Sequence, residues 1–398
     1  MRVCCQLNCK HKETGSFCER FVLNQGHTNS RFLVDTSLVS NPCLAKLNKS
    51  AVIGYTARTM SEHPEQIDFD AIMREPGLTA EMLALAQAPA DHRSGFVAVV
   101  GRPNVGKSTL INGWLGQKIA IVSPKPQTTR HRQIAIITRP DAQIILLDTP
   151  GLHKPQNLLG EYMMDQATQV VPDADVVCLL VDGSVWPSDA DRLAVHDLNE
   201  KTTGIPVLLV INKIDLVPPH QLEERIDAYR RLTPFSVDWV ALTALEAAGR
   251  DDLFERVVAL LPLGPRYYPA DQITDQQERF IAAEMIREQV LLHTYQEVPH
   301  SVAVLVSEFK ERSARLTYVG ATIYVERETQ KRILLGKNGQ LIKQIGEGAR
   351  AEIEELIGSK IYLDLWVKVW PNWRKDEHRL RWLGFALPPS NKRPGKSK

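Results

Sequence analysis

The feature that most constrains this chain is the segment GRPNVGKS at residues 101–108, which follows a short apolar run and precedes an amphipathic stretch. Its glycines let backbone N–H groups turn toward phosphate oxygens, and the following helix adds its partial positive charge. A glycine turn that merely joins a strand to a helix is the alternative. Because strand, loop and helix follow in the required order, the pattern predicts a phosphate-binding loop.

Short β-branched runs alternate with amphipathic segments from about residue 95 onward. This alternation is typical of a mostly parallel, doubly wound sheet covered by helices, so we predict an α/β domain over residues 93–262. A helix at 253–261 closes this domain, and a Pro-rich linker follows at 263–275. The predicted strands lie at 96–100, 133–138, 143–147, 176–181, 207–211 and 239–242.

The pattern changes beyond the linker. Helix 276–292, strands 302–307 and 315–326, a short helix, a tight turn, helix 340–357 and strand 361–370 give the order α-β-β-α-α-β. This order predicts a compact α+β domain over 276–387, followed by a basic tail at 388–398. Residues 331–398 hold fifteen Lys plus Arg against seven Asp plus Glu, whereas the whole chain has a net charge of only +1. An anionic partner is therefore expected near this end.

Residues 1–92 show no sustained helical or strand period, and we expect them to be mostly unstructured. The alternative is an upstream start, with translation beginning at Met60 or Met73. Five of the six cysteines lie in the first 43 residues, a distribution that does not predict a disulfide framework. Every apolar run is shorter than the roughly twenty residues of a membrane span. We therefore expect a cytoplasmic protein, at most peripheral on a membrane.

Residues of the predicted phosphate loop and of a second motif are candidates for phosphate and Mg²⁺ binding. Lys107 is expected to reach the β and γ phosphate oxygens, and Ser108 to offer its hydroxyl to Mg²⁺. DTPG at 148–151 follows an apolar strand, so the Asp148 carboxylate emerges at a strand C-terminus, where a metal-facing acid belongs in an open α/β sheet. Its position downstream of the phosphate loop favours this role over an ordinary turn.

A third motif, NKID at 212–215, predicts which base is bound. The Asp215 carboxylate can accept hydrogen bonds from the N1–H and 2-amino groups of guanine, and adenine offers neither donor. Thr243 and Ala244 follow the last strand and are expected to bring a backbone N–H near the guanine carbonyl. The predicted nucleotide-binding residues are Gly101, Asn104, Val105, Gly106, Lys107, Ser108, Thr109, Asp148, Thr149, Pro150, Gly151, Leu152, Asn212, Lys213, Asp215, Thr243 and Ala244.

GRPNVGKS, the segment PQTTRHR at 126–132, DTPG, NKID and the C-terminal layout together resemble the Era family of bacterial GTPases over residues 93–387. The resemblance implies GTP hydrolysis with Mg²⁺ and a first switch at residues 127–131. Thr129 is then the second hydroxyl ligand beside Ser108 and Asp148, with Thr128 as its rival. Leu152 stands where many relatives of this class have a Gln that orients water. The resemblance therefore suggests K⁺ held by Asn104, unless that side chain bonds only to its own loop.

GKNG at residues 336–339 lies between two helical segments, where KH domains place a GxxG turn that lets a nucleic-acid backbone approach. In this order of elements it predicts a type II KH domain, although GxxG alone is a common turn. The resemblance implies binding of the 3′ end of small-subunit ribosomal RNA and of the 30S precursor, by a monomer. Trp366 and Trp370 are expected to pack on the preceding helices rather than on bases. The predicted RNA-binding residues are Lys331, Arg332, Gly336, Lys337, Asn338, Gly339 and Lys343.

Two other functions remain open at this stage. One is a constitutive RNA-binding module in which the nucleotide only stabilises the fold. The other is a GTPase at a membrane surface, with basic residues 392–398 in contact with lipid.

Overall fold

The computed structural model describes residues 20–25, 28–33, 89, 91–125, 127–152, 155–313 and 315–385. The chain divides into two units, Met1–Leu78 and Thr79–Lys398. In the first unit, strands β1 (Arg20–Gln25) and β2 (Thr28–Leu33) form an antiparallel hairpin. This hairpin departs from the expectation of no regular structure over residues 1–92. The rest of that segment up to residue 88 lies outside the described residues, as does the basic tail.

The second unit begins with a six-stranded sheet. Its strands are β3 (Arg93–Gly101), β4 (Gln133–Thr138), β5 (Ala142–Asp148), β6 (Val176–Asp182), β7 (Val207–Asn212) and β8 (Asp238–Ala241). They lie in the order β4-β5-β3-β6-β7-β8. Only the β4–β5 pair is antiparallel. The prediction of a mostly parallel α/β fold is confirmed.

Helices cover both faces of this sheet. They are α1 (Lys107–Leu115), α2 (Leu158–Gln169), α3 (Asp189–Lys201), α4 (Leu222–Leu232) and α5 (Ala247–Leu260). Val97 and Val99 of β3 pack with α1 and α5, while Ala98 and Val100 pack toward α3 and α4. Both faces of each central strand are therefore buried, which is why the strands read as continuous apolar runs. Helix α5 begins at Ala247, six residues before the predicted start at 253, because the apolar run used for the prediction begins only at Leu253.

The segment predicted as a linker is hydrogen bonded to the sheet. Ser94 N donates to Pro262 O at 3.1 Å, and Ile136 N of edge strand β4 donates to Ile273 O at 2.8 Å. The Gln143 side chain accepts from Tyr267 N at 2.6 Å and donates to Tyr268 O at 2.8 Å. These bonds fix the path of the chain from the sheet to the elements that follow.

The remaining elements are α6 (Glu278–His293), α7 (Val298–Ser301), β9 (Ala303–Ser313), β10 (Leu316–Val325), α8 (Glu328–Leu335), α9 (Gln340–Ile357), β11 (Lys360–Val369) and α10 (Glu377–Trp382). Strand β10 pairs antiparallel with β9 and parallel with β11. Buried residues of α6 and α9, including Ile286 and Ile353, pack on this sheet. The predicted α+β order is confirmed, and the short helices α7 and α10 are additions to it.

None of the helices within the described residues is both long and apolar enough to cross a membrane.

Candidate nucleotide site and nucleic-acid interface

The phosphate loop joins the end of β3 to the start of α1. Gly106 has φ of +104°, and a Cβ built there would lie 2.2 Å from Asn212 Nδ2, so only glycine fits. Lys107 is buried, and its Nζ donates to Gly101 O at 3.1 Å and to Arg102 O at 2.9 Å. The ammonium group therefore lies inside the loop, where a phosphate would meet it.

Burial shifts the pKa values of the two charged groups at this site in opposite directions. Loss of solvent lowers the pKa of Lys107 to about 8, although the charge of Asp148 acts against that shift. Burial also raises the pKa of Asp148, against the attraction of Lys107 and the hydrogen bonds from Ser108 and Thr129. Both shifts follow from desolvation, which disfavours whichever form carries the charge.

The three residues predicted to bind Mg²⁺ lie within hydrogen-bonding distance of one another. Ser108 Oγ donates to Asp148 Oδ2 at 2.8 Å, and Thr129 Oγ1 lies 3.1 Å from Ser108 Oγ and 3.4 Å from Asp148 Oδ2. Asp148 Oδ1 is buried without a hydrogen-bond partner among the described residues. Thr128 Oγ1, the rival hydroxyl, instead donates to Lys125 O at 2.7 Å. Two hydroxyls and a carboxylate are oxygen ligands of the kind that Mg²⁺ takes.

Asn104 lies at the mouth of this site. Its φ is +63°, and its Nδ2 donates to Pro124 O at 2.7 Å, in the segment that leads into the first switch. The side chain therefore bonds outside its own loop. Beside it is a cavity of about 400 Å³, lined by Pro103, Asn104, Gly106, Lys107, Ser108, Thr109, Ile121, Val122, Ser123, Pro124, Gln127, Thr128, Thr129, Gly151 and Lys213.

The DTPG segment is pressed against the phosphate loop. Thr149 Oγ1 donates to Val99 O at 2.9 Å, and Leu152 N donates to Gly101 O at 3.0 Å. A Cβ built on Gly151 would lie 2.4 Å from Pro103 N, so the two backbones approach too closely for any side chain. A change in either segment therefore moves the other.

The NKID residues connect the phosphate loop to the loop after β8. Asn212 Nδ2 donates to Val105 O at 2.7 Å, and Asn212 Oδ1 accepts from Ala244 N at 2.8 Å. The Ala244 N–H thus holds Asn212, and the approach of a backbone N–H of Thr243 or Ala244 to the guanine carbonyl stays a prediction. Asp215 is exposed, and its Oδ1 accepts from Thr243 Oγ1 at 3.0 Å.

Lys213 lies between the base side and the phosphate side of the site. Its Nζ is 2.6 Å from Asp182 Oδ2 at the end of β6. The residue has φ of +64° and also lines the phosphate cavity. The ion pair with Asp182 therefore holds the Lys213 side chain between the NKID motif and the phosphate loop.

The GxxG turn lies between α8 and α9. Gly336, Asn338 and Gly339 have φ values of +69°, +54° and +76°. A Cβ on Gly336 would come within 2.8 Å of Leu341 Cβ, so the turn needs glycine there. Lys337 is exposed, as the approach of a phosphate backbone requires.

A groove of about 400 Å³ runs between α9 and β11. Lys343 and Arg350 line it together with the acidic Glu347, and most of the other lining side chains are apolar. Asn338 and Arg332 are exposed, and Lys331 is half-buried, on the turn and on α8. The predicted RNA-binding residues thus divide between the groove and the turn that precedes it.

The aromatic residues of β11 differ from the prediction. Trp366 is 61% exposed, and its Nε1 donates to Asp364 Oδ2 at 3.1 Å, so the expected packing on the preceding helices is wrong for this residue. Trp370 does pack, but against Tyr324 and against Trp382 of the following helix α10. Even-numbered positions of β11 face away from α6 and α9, which places Trp366 on the open face of the sheet.

Contacts between residues 122–130 and the elements that begin with α6 were not predicted from the sequence. Arg287 Nη2 donates to Thr128 O, and Glu288 Oε1 accepts from Val122 N at 2.8 Å. In the other direction, Arg130 donates to Val302 O at 2.5 Å. Charged residues on a helix normally indicate a solvated face, so no pattern in the sequence predicted that these would be buried.

A cavity of about 520 Å³ lies at the same boundary. His131 stacks on Phe385 with 4.5 Å between ring centroids and an interplanar angle of 15°, and its Nδ1 is 3.1 Å from Tyr162 Oη. Burial lowers the pKa of His131 to about 4, although Glu284 acts in the opposite direction. The ring is therefore neutral near pH 7.

Comparisons with known proteins agree with both parts of this arrangement. Residues 96–213 match a family described as 50S ribosome-binding GTPase, and residues 297–374 match the KH domain family. GTPase Era of Ruminiclostridium cellulolyticum is 46% identical over 294 residues, covering 74% of this chain and 98% of that protein. GTPase Era of Synechocystis sp. is 49% identical over 314 residues, covering 78% and 98%.

Solved structures extend the likeness to three dimensions. A crystal structure of Era in complex with MgGDPNP and nucleotides 1506–1542 of 16S ribosomal RNA is 40% identical, with a TM-score of 0.71 over 74% of this chain and 100% of that one. A crystal structure of an Aquifex aeolicus Era variant bound to GDP and AlF4⁻ has the same identity, coverage and TM-score. The chain therefore belongs to the Era family and is a GTP-hydrolysing, RNA-binding protein that combines a P-loop GTPase domain with a KH domain.

Proposed function

We propose that this chain binds GTP and GDP with Mg²⁺ at the carboxyl edge of its parallel sheet, hydrolyses GTP there, and holds the 3′ end of small-subunit ribosomal RNA during 30S assembly. The observation that carries the nucleotide part is the meeting of Ser108, Thr129 and Asp148 beside the buried Lys107. These residues come from the phosphate loop, the first switch and the DTPG motif, and such a combination fits a Mg²⁺-nucleotide.

Each of these residues has a role in the proposal. Lys107 binds the β and γ phosphate oxygens, and the backbone N–H groups of the phosphate loop surround them. Ser108 and Thr129 hold Mg²⁺ with their hydroxyls, and the Asp148 carboxylate fixes it from the strand end. Mg²⁺, when bound, neutralises charge that develops on the phosphate oxygens. Changing Thr129 to Ala is expected to slow Mg²⁺-dependent turnover far more than changing Thr128 to Ala.

Asp215 is the proposed guanine-reading residue. Its carboxylate is held by Thr243 and is exposed toward solvent, which supports a role as acceptor for the base. Asp215→Asn replaces one acceptor oxygen by a donor, so the variant is expected to lose GDP affinity and gain affinity for xanthosine diphosphate. Unchanged preference for GDP over xanthosine diphosphate would contradict the assignment.

K⁺ is the proposed catalytic cation, because Leu152 occupies the position after DTPG. Asn104 lies at the mouth of the phosphate cavity, and because its Nδ2 donates to Pro124 O at 2.7 Å, its Oδ1 is the atom that would hold the cation. A monovalent cation there would stabilise charge on the transferring phosphate. Turnover is expected to fall when KCl is replaced by NaCl. Equal rates in both salts would contradict a catalytic role for K⁺.

The RNA part rests on the GxxG turn, the groove beside α9 and the relatives. The family described as 50S ribosome-binding GTPase matches only residues 96–213, which lie within the GTPase domain. The 16S fragment was bound by a relative whose whole chain this one covers. Small-subunit RNA is therefore the proposed partner.

Two measurements test that partner. Crosslinking in cells, with the bound fragment sequenced, is expected to recover the 3′ end of small-subunit RNA. Single-turnover hydrolysis with that fragment is expected to differ from hydrolysis with a scrambled one of equal length. Binding without any effect on hydrolysis would favour the constitutive RNA-binding module.

The proposal also includes a monomeric state and peripheral contact with anionic lipid through residues 392–398, which lie outside the described residues. Co-sedimentation with anionic vesicles should be lost when these residues are removed.

A further inference from the structure

The first switch and the segment before it are attached to one helix of the KH domain. Helix α6 supplies Arg287, which donates to Thr128 O, and Glu288, which accepts from Val122 N at 2.8 Å. Each bond joins a backbone atom of the GTPase domain to a buried side chain of α6. The positions of these backbone atoms therefore depend on the KH domain.

Thr129 lies between two residues that are both bonded to the KH domain. On one side, Thr128 O accepts from Arg287. On the other side, Arg130 inserts its guanidinium toward the end of α7 and donates to Val302 O at 2.5 Å and Pro299 O at 3.2 Å. Bonds on both flanks leave the intervening residue little freedom to rotate its backbone.

The groups that make these contacts are shielded from water. Arg130 and Arg287 are 1% and 2% exposed, and Glu284 is 6% exposed. Arg287 is oriented by a bidentate pair with Glu284, at 2.8 Å from Nε to Oε1 and 2.5 Å from Nη2 to Oε2. A planar guanidinium held at two points is aimed more narrowly than a lysine ammonium.

The Glu284 carboxyl keeps its negative charge although it is buried. Burial alone would raise the pKa of the Glu284 carboxyl, but attraction and hydrogen bonding from Arg287 hold it below its usual range. The carboxylate thus stays ionised and remains hydrogen bonded to the Arg287 guanidinium. Removing only one partner would leave the other as an uncompensated buried charge.

We propose that Arg287, oriented by Glu284, is a positioning residue for GTP hydrolysis: by binding the Thr128 carbonyl it turns the Thr129 hydroxyl toward Ser108 and Asp148. The KH domain thereby completes the metal site of the GTPase domain. This inference rests on the proposed role of Thr129 as a Mg²⁺ ligand.

The test uses the full chain and follows single-turnover GTP hydrolysis as Mg²⁺ is titrated. The main variant combines Arg287→Met with Glu284→Met, so that neither member of this ion pair is left buried without the other. Arg279→Met is the matched control, because Arg279 lies on the same helix and donates to Val306 O at 2.7 Å within the KH domain. We expect the double variant to need about tenfold more Mg²⁺ for half-maximal rate, and the control to match the parent chain.

Arg287→Lys is the second variant, in case the double one does not fold. It keeps a positive charge beside Glu284, but the single lysine nitrogen cannot occupy both positions that Nε and Nη2 of Arg287 take against Glu284 and Thr128 O. It should show the same shift in Mg²⁺ requirement. GDP affinity measured without Mg²⁺ should be unchanged, since a general loosening of the fold would lower it.

A double-mutant cycle with Thr129→Ala tests the positioning role of Arg287 separately from the proposed role of Thr129 as a Mg²⁺ ligand. Once the Thr129 hydroxyl is gone, the change at Arg287 should cost no further activity. A full additional loss in that background would overturn the positioning role, as would a Mg²⁺ requirement equal to that of Arg279→Met. If Thr129→Ala itself hydrolysed GTP normally, the assumed metal ligand would be wrong instead.

Discussion

Replacing Asn212 by Ala should disconnect the base side of the nucleotide site from the phosphate side. The Asn212 amide donates to Val105 O at 2.7 Å and accepts from Ala244 N at 2.8 Å, and the residue is 2% exposed. Its loss leaves one buried carbonyl and one buried N–H without partners, at about 1–3 kcal/mol each. The free energy of unfolding should therefore fall by about 2–6 kcal/mol, toward the lower value if water enters the space.

The assay is urea unfolding of the nucleotide-free chain, together with GDP affinity from a fluorescent analogue. Asn212→Asp is the matched variant, because it keeps the acceptor for Ala244 N but sets a carboxylate oxygen against Val105 O. It should also bind GDP weakly. Asn199→Ala, on the exposed side of α3, is the control and should stay within about 0.5 kcal/mol of the parent chain. If Asn212→Ala matched this control in both measurements, the linking role of the amide would be refuted.

Three further predictions concern pH and salt. Burial lowers the pKa of His131 from 6.5 to about 4, with Glu284 acting against this shift and Arg287 and Arg130 adding to it. The unfolded chain therefore takes up the proton first, and stability should be full above pH 6.5 and decline by about 3 kcal/mol toward pH 4. Thermal unfolding should show this decline reduced in His131→Phe, and identical pH profiles would contradict it. Because Lys107 has a pKa of about 8 in the free site and phosphate favours its charged form, GDP binding at pH 8.5 should take up most of a proton. Calorimetry in two buffers of different ionisation enthalpy measures this uptake, and no uptake would show that Lys107 is already charged. Lys337→Ala combined with Lys343→Ala should reduce the slope of log affinity for single-stranded RNA against log salt by about 1.4, whereas Lys310→Ala, paired with Glu308, should leave it unchanged. Equal slopes for both variants would remove these lysines from the phosphate contacts.

Local sequence patterns predicted the elements that carry the nucleotide and RNA motifs. All six strands of the first sheet were expected, because strands buried on both faces appear as apolar runs whatever their partners are. The order α-β-β-α-α-β likewise predicted the KH arrangement. The β1–β2 hairpin was missed because its six-residue strands, RFVLNQ and TNSRFL, do not alternate apolar and polar residues.

Other misses arose where a side chain had more than one plausible partner. Trp366 was expected to be buried for its size, but the register of β11 puts it on the open face of the sheet. The prediction that Thr243 and Ala244 bring a backbone N–H near guanine did not foresee that the Ala244 N–H binds the Asn212 side chain. In both cases the residue type indicated which contacts the group could make. The direction in which the group points could not be predicted from the sequence.

The sequence alone determined that the motifs GRPNVGKS, DTPG, NKID and GKNG follow in one chain, since each motif lies within a few consecutive residues. Only the tertiary structure decided that α6 is buried throughout residues 281–291, with Arg287 bonded to a carbonyl 159 positions away. A charged helix face looks the same in sequence whether water or another domain covers it. Its burial depends on a neighbour that supplies hydrogen-bond partners of the right geometry, and that neighbour is fixed by how the two domains pack.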